Sequence, residues 1–245
     1  MFQVPVMSTV RHWWRTRSTR QRRLSIGAVT LPVLITLGAF ALQPPEIADL
    51  SEENRHRLPN LLSQWENGDV IVLLRHLERC DKEDYPCWEG NEGITARSVA
   101  IGHALADSYV QLGLDKTEIY NSPLARTAQT EAIVFDDVGV DQNWLYECRN
   151  TMLRDAIAHK TQGKNLVLVT HSSCIDAFEK ALGYDSDKPQ YGTSLFFSST
   201  GKPDSLDVLG FLDADDFSLA LGLSPSTPTV ASRAGRARLK NSGVM

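Results

Sequence analysis

Two apolar runs in this chain each stop at a histidine, and together they limit the folds open to it. Val70-Ile71-Val72-Leu73-Leu74 gives way to Arg75-His76, and Leu166-Val167-Leu168-Val169 gives way to Thr170-His171. A short run that is apolar at every position is a strand covered on both faces, the mark of a parallel sheet under helices. The intervening segments supply the helices. Ile101, Leu105, Tyr109 and Leu112 share a face behind Thr95, an N-cap candidate, and Gly113 ends that helix. Glu118–Asn121 forms a short strand that meets Ser122-Pro123, where Ser as N-cap and Pro as first helical residue predict a helix start. Val138–Val140 predicts a brief strand, Thr151–Gln162 a helix, and Ile175, Phe178 and Leu182 another helix. Leu195–Ser198 and Leu206–Leu212 predict a strand pair. The expected class is α/β, a three-layer α/β/α arrangement with a mostly parallel central sheet.

Ligands of open α/β sheets bind just beyond the carboxyl ends of the strands. With the His-bearing strands and the Glu118–Asn121 strand as neighbours, Arg75, His76, Arg126 and His171 converge at one sheet edge. Arg126 lies about one turn into a helix whose N-terminus suits an anion. Charge distribution narrows the partner. Residues 1–23 carry six Arg and no acid, and residues 217–245 carry four basic residues and no acid. The middle therefore sets 15 basic residues against all 30 acidic ones. Such a body excludes a nucleic-acid partner, which needs a basic face. An anion bound here must be held by a few placed arginines. Phosphoryl transfer fits: guanidinium pairs hold phosphate oxygens, a neutral imidazole is a competent nucleophile, and a carboxylic acid protonates the leaving oxygen. The four cysteines have no Cys-x(2–4)-Cys spacing, so no zinc site is expected, nor any other metal or cofactor.

The set Arg75-His76, Ser122-Pro123-Leu124-Ala125-Arg126-Thr127-Ala128-Gln129-Thr130 and Thr170-His171 resembles the histidine phosphatase (phosphoglycerate mutase-like) superfamily over about residues 70–212. The resemblance implies that His76 is phosphorylated while Arg75, Arg126 and His171 bind the phosphate. Arg79 resembles a further phosphate-binding Arg of some branches. Glu147 stands where many mutase-like members carry the general acid, and Glu78, two residues from the nucleophile, is its rival. Two positions depart from the pattern. Leu77 replaces the usual Gly after the Arg-His pair, which puts pocket width in question. Ser172-Ser173 replaces a Gly pair, with hydroxyls able to cap the next helix. The pattern Arg-His-x-Glu-Arg-Cys-Asp, with Cys80, Cys87, Cys148 and Cys174 in their places, is similar to the lipopolysaccharide core heptose(II)-phosphate phosphatases. That likeness implies a periplasmic enzyme that removes phosphate from a heptose of the lipopolysaccharide core. Four cysteines suit two disulfides in an oxidising compartment, with three pairings open. Cys80–Cys87 with Cys148–Cys174 is preferred, one closing a short loop and the other tying two active-site loops.

Residues 24–42 contain no charge and, at ~1.5 Å per residue, extend roughly 28 Å, about the hydrocarbon thickness of a bilayer. The Arg-rich residues 1–23 before them should stay cytoplasmic. An uncleaved anchor in the inner membrane is favoured over a cleaved signal peptide, which the triplet Ala39-Phe40-Ala41 would suit. The expected order is then a basic N-terminus (1–23), a membrane segment (24–42), a connector (43–68), a phosphatase domain (69–216) and a disordered basic tail (217–245). Two alternatives share these residues: a phosphohistidine mutase or phosphatase of another small substrate, and an inactive module that binds phosphorylated sugar. Trp88, in the loop after His76, is a weaker candidate for sugar contact.

Overall fold

The computed structural model describes residues 44–51, 54–185, 188–200 and 206–222. By contacts the chain divides into residues 1–44 and 45–245, and the description concerns the second unit. The expected membrane segment at 24–42, the basic stretch before it and the chain beyond 222 lie outside the described residues. Among the described residues no helix is long and apolar enough to cross a membrane.

Helix α1 (Leu58–Asn67) leads into β1 (Val70–Arg75). Then come α2 (Val99–Leu112), β2 (Thr117–Asn121), α3 (Ala125–Phe135), β3 (Val140–Asp141) and α4 (Met152–His159). The chain continues through β4 (Asn165–Thr170), α5 (Ser172–Ala181), β5 (Ser194–Ser198), β6 (Asp207–Leu212) and α6 (Ala214–Ala220). The six strands lie in the order β3-β2-β4-β1-β5-β6. Only β5 runs against β1, and β6 pairs antiparallel to β5, so the sheet is mixed but mostly parallel. Every residue of β1 and β4 is buried. Val70, Val72 and Leu74 pack on one face with Leu61 and Trp65 of α1, Leu105 and Tyr109 of α2, and Phe217 of α6. Ile71 and Leu73 pack on the other with Met152 of α4 and Phe178 of α5. Each large aliphatic side chain so buried contributes about 1.5–3 kcal/mol relative to exposure. The continuous apolar runs are therefore the central strands of a three-layer sandwich.

Some expectations need correction. The domain does not end at 216. Phe217 is fully buried, edge-on to Tyr109 at 5.2 Å and to Phe196 at 5.8 Å. Asp215 and Asp216 sit in the first turn of α6, where carboxylates complement the helix dipole. The brief strand is Val140–Asp141, and α4 stops at His159. Thr95 does not cap α2, which begins after a 3₁₀ turn at Ala96–Ser98; its hydroxyl donates to Glu78 instead. Pro123 is not the first helical residue. Leu124 is extended, so α3 starts at Ala125 and Ser122 is left in the approach to it.

Candidate active site

Strand register places the site. Arg75 pairs with Thr170 across β1 and β4, and Asn121 of β2 pairs with Val169 of β4. The next residues, His76, His171 and Ser122, therefore emerge side by side at one sheet edge. Backbone bonds hold the emergence. His76 N–H donates to the Thr170 carbonyl (3.0 Å), and Arg75 N–H to that of Thr193 (2.9 Å). The Thr130 hydroxyl accepts from Leu77 N–H (2.9 Å). The Gln129 carboxamide accepts from Ile94 N–H (2.8 Å). The helix that carries Arg126 thus also fixes the chain on either side of the loop after His76.

His76 is almost wholly buried and its ring centroid lies 5.5 Å from that of His171. Its Nδ1 sits 2.6 Å from the Leu77 carbonyl oxygen. A carbonyl only accepts, so Nδ1 carries the proton and Nε2 keeps a lone pair. Burial, followed by the proximity of His171, Arg126 and Arg75, holds the His76 pKa well below 6.5. The ring stays neutral and the nucleophile available. His171 Nε2 shares a 2.8 Å hydrogen bond with Ser122 Oγ. Burial, then Arg126 and Arg79, lower its pKa to about 3.

Around the two rings, Arg75, Arg79 and Arg126 line a cavity of about 800 Å³ together with Lys82, Glu83, Tyr146, Glu147, Arg149 and Lys188. Arg75 lies over the Tyr191 ring (3.9 Å to the centroid) and donates to the Pro189 carbonyl. Burial lowers the pKa of both Arg75 and Arg126. Arg75 Nε, Arg126 Nε and His171 Nδ1 are buried without a hydrogen-bond partner. An unsatisfied buried donor costs about 1–3 kcal/mol, and a bound oxyanion would supply the missing acceptors. Arg79 pairs with Asp81 through Nε–Oδ1 at 2.7 Å and a second contact, which raises its pKa.

The two acid candidates separate. Glu147, exposed, lines the cavity. Glu78 does not: it accepts from Arg97 Nε (2.6 Å) and from Thr95 Oγ1 (2.8 Å), and lines a different hollow. Those bonds, led by Arg97, hold its carboxyl below the usual range. Glu78 ties the loop after the nucleophile to the start of α2, and the expectation that it reaches the reacting atoms is not met.

Both preferred disulfides are formed, with Cα separations of 5.0 Å for Cys80–Cys87 and 5.5 Å for Cys148–Cys174. The second ties the segment bearing Glu147 and Arg149 to the first turn of α5, directly after His171. Leu77 does not narrow the cavity. It turns into the core, where any Cβ on Gly102 would meet it at 2.8 Å and one on Gly192 at 3.5 Å. Gly102 and Gly192 make the room that the larger side chain takes. Ser172 and Ser173 line the cavity, and no side chain caps α5. Trp88 packs against the core.

Tyr191, Lys188, Lys82, Arg149 and the Ser122 hydroxyl were not singled out by the sequence. For Lys188 and Tyr191 a signal existed. Because β5 is antiparallel, the loop before it lies at the same edge as the carboxyl ends of the parallel strands.

No protein-family model matches the chain. Curated relatives do. A lipopolysaccharide core heptose(II)-phosphate phosphatase of Salmonella typhi is 28% identical over 142 residues, 54% of this chain and 68% of that protein. One of Salmonella typhimurium is 30% identical over 119 residues, covering 45% and 56%. The chain thus spans between about half and two thirds of these relatives. Among solved structures, phosphoglycerate mutase from Bacillus anthracis aligns at a TM-score of 0.45 and 10% identity, over 64% of this chain and 99% of that one. With Arg75, His76, Arg126 and His171 gathered at one sheet edge, the chain is similar in sequence to the lipopolysaccharide core heptose(II)-phosphate phosphatases.

Proposed function

We propose that this protein is a periplasmic phosphomonoesterase that works through a phosphohistidine on His76, with a heptose phosphate of the lipopolysaccharide core as substrate. The observation that carries the proposal is the His76 Nδ1 bond to the Leu77 carbonyl, which leaves Nε2 as the nucleophilic atom. Arg75, Arg126 and His171, with Arg79 beside them, hold the phosphate oxygens. The dianion raises the pKa of His171, whose imidazolium then stabilises the charge. Nε2 attacks phosphorus and the P–O bond to the sugar breaks in line. Glu147 gives its proton to the departing oxygen. It then takes a proton from the water that hydrolyses the P–N bond, and inorganic phosphate leaves. The heptose assignment is supported by the named relatives. The compartment is supported by the two disulfides, and anchoring through residues 24–42 is part of the same proposal.

The full chain with chelator present should hydrolyse p-nitrophenyl phosphate and retain acid-labile phosphate after quenching. His76→Ala should lose both. Turnover that survives in that variant overturns the mechanism. Core oligosaccharide from a strain lacking the protein should carry extra phosphate on heptose, and an unchanged pattern overturns the substrate.

A further inference from the structure

The cavity carries more positive charge than a single phosphate needs. Arg75, Arg79, Lys82, Arg126, Arg149 and Lys188 line it, against two carboxylates, Glu83 and Glu147. Burial holds the pKa of both histidines low, so neither adds to this charge. Asp81, paired with Arg79, leaves an excess of three, and a phosphomonoester dianion neutralises about two of these. Arg75, Arg126 and Arg79 already surround the phosphate position. Lys82, Arg149 and Lys188 come from three separate segments, all exposed at the rim, and none makes an ion pair among the described residues. Each segment is fixed close by. Lys82 lies within the loop closed by Cys80–Cys87, and Arg149 follows Cys148. Lys188 precedes Pro189 and Tyr191, which hold Arg75. In a body where acids outnumber bases, this local excess marks a surface kept positive against the general trend.

We propose that Lys82, Arg149 and Lys188 form a second anion subsite, which selects sugar phosphates bearing a further negative group, a second phosphate or a carboxylate. The proposal rests on the phosphatase reading and deepens it. Such a subsite separates a multiply charged glycan from sugars whose single phosphate is their only charged group.

Calorimetric binding to the full-length His76→Ala protein tests it without turnover, using glucose 1-phosphate, glucuronic acid 1-phosphate and glucose 1,6-bisphosphate. The second charge should tighten binding by about tenfold, as two or three partly exposed ion pairs allow. Adding Lys82→Met, Arg149→Gln and Lys188→Met should erase that preference, and salt should weaken it in the parent. Preference for the bisphosphate alone assigns the subsite to phosphate; equal preference for the uronic acid assigns it to any anion. Equal binding of all three ligands, or a preference that survives the triple substitution, overturns the proposal. Failure of the wild-type protein to hydrolyse p-nitrophenyl phosphate overturns the phosphatase reading instead.

Discussion

Two neutral histidines buried side by side make the folded protein sensitive to acid, and His171 sets a measurable part of that sensitivity. In the unfolded chain it titrates near 6.5; in the folded one at about 3. Between those values the unfolded chain binds a proton that the native site refuses. The stability contributed by this group is complete above 6.5 and is lost as pH falls toward 3. Moving from about pH 7.5 to about pH 5, the linkage amounts to RT ln of roughly 30, or about 2 kcal/mol. Its cause is burial first, then Arg126 and Arg79. Urea unfolding of wild type and His171→Asn at the two pH values, with disulfides kept oxidised, isolates the contribution, because carboxylates and His76 titrate in both proteins. Wild type should lose about 2 kcal/mol more than the variant. A bound phosphate dianion should shrink the difference, since it favours the imidazolium. Equal pH dependence in the two proteins would refute the reasoning, and so would a wild type that gains stability in acid.

The disulfides and the acid give two further expectations. Cys148→Ala with Cys174→Ala opens a loop of 26 residues and should cost about 3.5 kcal/mol, against about 2.4 kcal/mol for the seven-residue Cys80–Cys87 loop, by chain entropy. Urea midpoints measure both, and the longer loop should also lose activity, because Glu147 and Arg149 are no longer tied beside His171. Glu147→Gln should lower kcat by about 10²–10⁴ on an alkyl phosphate and much less on p-nitrophenyl phosphate, whose phenolate leaves without a proton. Glu78→Gln should spare turnover of the alkyl ester, and an equal loss in both variants would remove the distinction between them.

How much of this was legible before the structure follows from the physics each residue obeys. The apolar runs at Val70–Leu74 and Leu166–Val169 announced strands buried on both faces, and the sheet order then fixed which residues meet. Pairing of Arg75 with Thr170 is a register, and a register puts His76 beside His171 without any further contact. Glu78 is near His76 in sequence, but proximity in sequence says nothing of direction. Three residues past the strand end the chain has turned, and Arg97 and Thr95, both distant in sequence, take its carboxylate. Phe217 opens the acid-free stretch 217–245, so charge alone puts it with the tail; the partner surface of Tyr109 and Phe196 makes it a core residue.

Ser122 shows why the same local signal can serve two structures. Ser followed by Pro predicts a capped helix, yet the helix waits until Ala125, where the Thr127 hydroxyl donates to the carbonyls of Ser122 and Leu124 at 2.7 Å each. Thr127 thereby ties the approach, Ser122 and Leu124, to the first turn of the helix, and no side chain caps that turn. That delay frees the Ser122 hydroxyl to face His171 Nε2, while Ser122 N–H stays bonded to the Val169 carbonyl at the strand end. One short segment thus places Arg126 in the cavity, holds His171 by its Nε2, and through Thr130 fixes the backbone that follows His76. The density of polar side chains in Ser122–Thr130 is therefore positional: nearly every one of them reaches a backbone or side-chain atom of the site, and a helix chosen for stability alone would have no need of them.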